Sequence, residues 1–240
     1  MSPLLAQTRM EIRLTLRRFE AVLITMIVPV ILLVFLGLIG LAPDDYSRPV
    51  DFLLPSMLVL AVMSTGLVGL SIRTAYERSY GVLKRLGSTP LGRGNLLIAK
   101  INSVIVVTVI QIVVLIAIAA LGFGWRPEGH LLPAALTLVI GIATFSGLGL
   151  LLAGLLRAET TLAAANTLYI FFLLFGGIIW PADRLPDGIA TIAGILPSSV
   201  FATALRESLA HGEMPVAPIL LLSLWGLAGI LVASRTFRWE

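Results

Sequence analysis

The chain has no cysteine among its 240 residues. Disulfides, thiol catalysis and thiolate metal sites are therefore excluded. Histidine is nearly absent too: His130 and His211 stand far apart and have no metal-ligand spacing. Charge is scarce. Only 12% of residues are Asp, Glu, Lys or Arg, where an ordinary soluble domain carries about 25%. The long apolar runs hold no His, Asp or Glu cluster, which leaves a membrane-embedded enzyme or an ion-coupled carrier without its working groups. A phosphate loop is missing as well. The segment from Gly81 to Gly87 has the wrong spacing and no lysine after its second glycine. No catalytic residue and no metal site is expected, and there is no repeat or low-complexity tract.

What the sequence has is apolar surface. Hydrophobic residues make up 58% of it, and the mean hydropathy is +1.01. A soluble core of this size cannot hide so much, whereas lipid can solvate it. About 20 apolar residues carry a helix across the hydrocarbon layer. Six stretches qualify: Ala21–Leu41, Phe52–Ile72, Ile98–Gly122, Leu132–Leu156, Leu162–Trp180 and Val216–Ser234. They are continuous rather than alternating, so the expected fold is an all-α membrane protein with six transmembrane helices, not a barrel. The first stretch is too long for a signal peptide, and Leu41-Ala42-Pro43-Asp44 is a poor cleavage site, so it reads as a retained span.

Six spans place both ends on one side, and Lys/Arg bias tells which. That side carries Arg9, Arg13, Arg17, Arg18, Arg73, Arg78, Lys84, Arg85, Arg93, Lys100, Arg157, Arg235 and Arg238. The other carries Arg48, Arg126, Arg184 and Arg206. Both termini are thus expected in the cytoplasm of a multi-pass cell-membrane protein. Most acids (Asp44, Asp45, Asp51, Glu128, Asp183, Asp187, Glu207, Glu213) fall outside. Topology and attraction to membrane lipids account for the pI near 10 without nucleic acid.

Residues 1–20 precede the first span. Arg9, Arg13 and Arg17 recur on one helical face beside Leu5, Ile12, Leu16 and Phe19, as in an interfacial amphipathic helix; a merely topogenic basic end is the alternative. The tight loop Arg157–Thr161 predicts that the fourth and fifth spans are antiparallel neighbours. Between the fifth and sixth spans, residues 181–215 hold two short apolar pieces, Ile189–Leu196 and Val200–Leu209. Both are expected as short outer or re-entrant helices, the second capped by Ser198 or Ser199. Gln111 and Asn166 are the costly polar groups inside spans, with Thr167 beside the latter. They can hold helices together or, with Phe171 and Phe172, line a substrate path. The ladders Ala61–Thr65–Gly69 and Gly149–Ala153 allow close packing, within the chain or at a dimer seam. Trp125, Trp180 and Trp239 sit at predicted span ends as interface anchors.

Residues 73–97 form the one long cytoplasmic connection. Arg73–Leu86 can be a short helix with Glu77, Lys84 and Arg85 on its polar side and Leu83 and Leu86 as an apolar contact surface. Gly87 suits a left-handed cap, and Pro90 then fixes a turn. A new helix starts near Asn95. The product is a stiff basic elbow suited to receive a push from a soluble partner.

On Glu77, Arg78, Gly81, Lys84, Leu86, Thr89, Pro90, Leu91 and Lys100, the chain resembles the membrane subunits of ATP-binding-cassette type-2 exporters. The short six-span permeases of daunorubicin/doxorubicin-resistance type are the particular likeness. A second match is the run Phe171–Pro181 with Gly176 and Gly177, then Leu185-Pro186 and Leu196-Pro197. The departures are Ser79-Tyr80, where a further charge is usual, and Ala99, where glycine is common. The resemblance implies one transmembrane permease domain over 1–240, moving a hydrophobic drug, lipid or polyketide-like substrate outward. Its partners would be two ABC ATPase subunits and a second permease, identical or homologous. No cofactor belongs to this chain, which is no enzyme by itself; ATP and Mg would lie on the partner subunits. Glu77, Arg78, Gly81, Lys84, Arg85, Leu86, Thr89 and Pro90 would couple to the ATPase, with Arg9, Arg13 and Arg17 on the interfacial helix beside them. The rival expectation is an ATP-independent channel or facilitator, for which the basic elbow has no task.

Overall fold

The computed structural model describes residues 3–17, 19–41, 43, 46, 48–127, 129–179, 187–210 and 214–236. Among these there is no strand. Helix α1 (Pro3–Arg17) precedes α2 (Phe19–Ile39), and α3 (Pro49–Met63) runs through a π-helical stretch, Ser64–Gly69, into α4 (Leu70–Ser79). Then come α5 (Val82–Gly87), α6 (Arg93–Phe123), α7 (Leu131–Leu155), α8 (Ala158–Phe175), α9 (Asp187–Ala193), α10 (Pro197–Ala210) and α11 (Val216–Thr236). Among the described residues five helices are long and apolar enough to cross a membrane: Pro49–Ser79 as one unit, α6, α7, α8 and α11. The first predicted span lies in α2, whose described apolar stretch is Thr25–Ile39.

The second span is the axis of the bundle. Every residue from Phe52 to Met63 is buried. A helix that is apolar on all faces needs neighbours all round, and α2, α6, α7 and α10 supply them. The helix outlasts its apolar run. It extends to Ser79, well past the predicted end at Ile72, because the charged last turns find partners inside the protein.

The small residues pack within the chain. Ala61 is fully buried, and a Cβ on Gly149 would lie 2.3 Å from the Gly66 carbonyl oxygen. The π-helical stretch and α7 therefore touch backbone to backbone. Of the two predicted ladders, Gly149 meets Gly66 here and Ala153 packs with Ala75 and Ala158, whereas Thr65 turns to Gln111 of α6. The same packing overrides loop length. Although a short turn joins α7 to α8, α7 lies mainly along α11 and α8 leans chiefly on α4. Thr144 Oγ1 donates to the Leu222 carbonyl at 3.0 Å across the α7–α11 contact.

At the opposite end, α10 is no surface loop. Val200, Phe201, Ala202, Ala204 and Leu205 are buried against α3, α7 and α11. It begins at Pro197, a position where proline loses nothing, so Ser198 and Ser199 lie in the first turn. Ser198 Oγ is buried without a hydrogen-bond partner and does not cap. Trp125 is 7% exposed and packs in the core instead of anchoring at an interface. Trp180 and Trp239, like Pro181, Leu185 and Pro186, lie outside the described residues.

The Gly66–Gly149 contact makes a direct prediction. Gly149→Val should destabilise the detergent-solubilised protein by about 2 kcal/mol or more, the usual range for overpacking, seen as a lower melting temperature. Gly94→Ala, with open space where its Cβ would go, should leave melting unchanged or slightly raised.

Candidate functional site

The elbow after the second span is built differently from its prediction. The chain turns at Gly81, not at Gly87. Gly81 has φ +70°, a left-handed conformation that other residues adopt only at a cost. It separates α4 from the short α5. Gly87 ends α5 with no positive φ. Leu83 is fully buried and Leu86 packs partly against the core, so neither offers a contact surface. Lys84, Arg85, Thr89 and Pro90 are exposed. The apolar groups on the outside are Tyr80, 74% exposed, and Val82, 41% exposed.

Beneath the elbow lies a cluster of four charges. Lys100, on the second turn of α6, has no solvent exposure. Its Nζ donates to Glu11 Oε1 on α1 at 3.1 Å and to Glu77 Oε2 on α4. Arg73 stands 3.9 Å from both Glu11 Oε2 and Glu77 Oε1. Its guanidinium also donates to Thr15 Oγ1 on α1 and to Ser103 Oγ on α6 at 3.1 Å. Gln7 Nε2 completes the set on Glu11 Oε1 at 3.0 Å. Two cations and two carboxylates cancel, which is the condition under which charges tolerate burial. Three elements distant in sequence are thereby fastened at one point.

Glu77 is thus an internal tie, not an outward-facing coupling group. Arg78 points inward as well. It donates to the Gly154 carbonyl at 2.9 Å and to that of Leu156, closing the end of α7 where its last carbonyls need partners. Glu11, Arg73 and their role were missed by sequence reasoning. The available signal was the lone acid Glu11 on the Gln7–Thr15 face of a basic helix. That polar face packs on α6, leaving Leu5, Leu14 and Leu16 exposed together with Arg9, Arg13 and Arg17.

Beside the cluster opens a cavity of about 590 Å³, walled by Thr15, Thr25, Ser64, Thr65, Val68, Arg73, Tyr76 and Val107 among others. Gln111 lies behind it, fully buried. It accepts from Thr65 Oγ1 at 3.0 Å and donates to Thr25 Oγ1 at 3.3 Å, so it joins three helices. Asn166, Thr167 and Phe171 lie elsewhere, on the exposed face of α8 with Leu162, Ile170 and Leu174. Phe172 faces the other way, 7% exposed and edge-on to Phe145. The residues named for a substrate path are therefore not brought together. Among the described residues no group of three or more His, Cys, Asp or Glu could hold a metal.

The far end has its own tie. Gly177 takes φ +65° after α8, and its carbonyl accepts from Arg206 on α10. Arg206 also donates to Ser56 Oγ at 3.1 Å and stacks over the Phe52 ring, 4.3 Å from its centroid.

Comparison with known proteins matches the chain to one family. A family model described as ABC-2 type transporter covers residues 4–210. YvfS of Bacillus subtilis (strain 168), named as a transport permease, is 28% identical over 99% of this chain and 98% of its own length. ABC transporter G family member 20 of Dictyostelium discoideum is 28% identical over 80% of this chain and 28% of its own length. The linearmycin resistance permease protein LnrN of Bacillus subtilis (strain 168) is 29% identical over 80% of this chain and 47% of its own length. The chain therefore spans under half of the latter two.

Breaking the cluster should be costly, because removing one member leaves another charge buried and unpaired. Lys100→Met should lower stability by about 3 kcal/mol or more. Glu11→Gln should do so by less, since Glu77 still holds the ammonium. A double-mutant cycle on Glu11 and Lys100, read from detergent melting, should give a coupling of about 1 kcal/mol or more.

Proposed function

The chain belongs to the ABC-2 type transporter family, and from that premise we propose that it is the membrane-spanning half of an ATP-driven exporter. Two permeases, identical or homologous, sit on two separate ATPase subunits, which hold the ATP and Mg. The chain lies in the cell membrane with both termini cytoplasmic, as its Lys/Arg bias indicates. It carries no catalytic site. The cargo is a hydrophobic drug, lipid or polyketide-like molecule. The apolar span interiors support this choice, as does the drug-resistance name of one relative.

One observation carries the proposal. The exposed basic bend with Lys84 and Arg85 is fastened through Glu77, Lys100 and Glu11 to α1 and α6. A push on α5 from a closing ATPase cannot be absorbed locally. Gly81 gives the bend its direction, α4 continues unbroken into the second span, and the charge cluster takes α1 and α6 along. In this view Lys84, Arg85, Thr89 and Pro90 meet the ATPase with Tyr80 and Val82, whereas Glu77, Arg78 and Leu86 transmit. Helix α1 lies in the interface with its leucines toward lipid and Arg9, Arg13 and Arg17 at headgroup level. The exposed stripe of α8 receives the second permease, because Asn166 and Thr167 are expensive against lipid tails.

The test is transport in proteoliposomes holding the permease with its ATPase. Arg85→Glu reverses an exposed charge, so insertion and melting should stay as in the parent. ATP-driven efflux should fall about fivefold, the scale of a rim charge at a docking surface. Unchanged efflux would remove the docking role of the bend. Efflux down a gradient with no ATPase present would favour a facilitator instead.

A further inference from the structure

Several spans end together at the basic end of the bundle, beside the face of α4 that carries Ala75, Arg78 and Ser79 rather than the one that carries Arg73 and Glu77. Helix α4 stops at Ser79, α7 at Leu155 and α11 at Thr236, and α8 starts at Ala158. Between these ends lies a groove of about 820 Å³. Among the described residues its walls carry Arg78, Arg157 and Arg235 against a single carboxylate, Glu159. Arg78 is spent on the Gly154 and Leu156 carbonyls, which fixes the turn and leaves its charge at the wall. Arg157 and Arg235 are exposed, and among the described residues neither makes an ion pair. The first turn of α8 adds N–H groups that Arg157, preceding it, does not cap with its side chain. The groove is also partly greasy: Leu155, 58% exposed, stands next to these charges.

From this placement we propose that the groove binds the phosphodiester headgroup of an anionic membrane lipid. The level fits, because ends of apolar spans mark the headgroup layer. The charge fits, since the wall is net positive and arginine forks match phosphate oxygens. The apolar wall decides between occupants. A soluble phosphate or an acidic protein loop gains nothing from Leu155, whereas a lipid lays an acyl chain along it. Basic pockets between span ends are suited to such headgroups. The inference needs only that these helices span a membrane, and it stands or falls apart from the export reading.

Native mass spectrometry on the full chain, released from nanodiscs of phosphatidylcholine and phosphatidylglycerol at 4:1, tests it. The parent should retain phosphatidylglycerol in preference to phosphatidylcholine. Arg157→Gln/Arg235→Gln should lower that retention about 25-fold, roughly fivefold for each charge. Arg157→Lys/Arg235→Lys, which keeps both charges, should retain most of it, and Arg126→Gln at the opposite end all of it. Undiminished phosphatidylglycerol in the double glutamine variant overturns the assignment. So does equal competition by glycerol phosphate, which would make the occupant a soluble anion.

Discussion

Lys100 has no contact with water, and the arrangement of the basic end follows from that fact. A buried ammonium must be paired. It is paired twice, to Glu11 and Glu77, and Arg73 then balances the second carboxylate. Such clusters contribute little net stability, because desolvation offsets attraction. What they do is select one geometry, since any slip of α1 or α4 along α6 strands a charge. Helix α1, with Leu5, Leu14 and Leu16 turned outward, is keyed to α4 and α6 at this point.

The second span is gripped at both ends by cations. Arg206 holds its first turns through Ser56 and Phe52 and reaches the Gly177 carbonyl beyond α8. At the other end Glu77 is held by Lys100 and Arg73. Midway, the π-helical stretch Ser64–Gly69 is pressed against Gly149 of α7. A π segment is a local departure from the regular helical ladder, often found at functional sites. An element fixed at its ends and irregular in its middle is well placed to relay a displacement between the two faces of the bundle.

The sequence revealed most of the architecture, because span length and apolarity are set by local composition. The five long helices match their predicted runs to within a few residues, the second excepted, and both short helices after the fifth span lie where the apolar pieces predicted. The site was less legible. Glu77 and Arg78 looked like surface charges because their partners, Lys100 and the carbonyls of α7, are far along the chain. Gly81 and Gly87 are equally plausible turn residues on local grounds, and only packing of Leu83 against the core decides between them. Glu11 was hidden by the louder arginine row around it. The small-residue ladders were visible, but a ladder does not say whether its partner is the same chain or another.

The absence of cysteine makes paired spin labels straightforward to place. With cysteines at the exposed positions Arg9 on α1 and Ile98 on α6, pulsed electron resonance on the complex with its ATPase reports whether these helices move as one. The account predicts a single narrow distance, the same with and without bound ATP, that broadens when Lys100→Met is added. A distance that changes with nucleotide, or that stays narrow without Lys100, would contradict it.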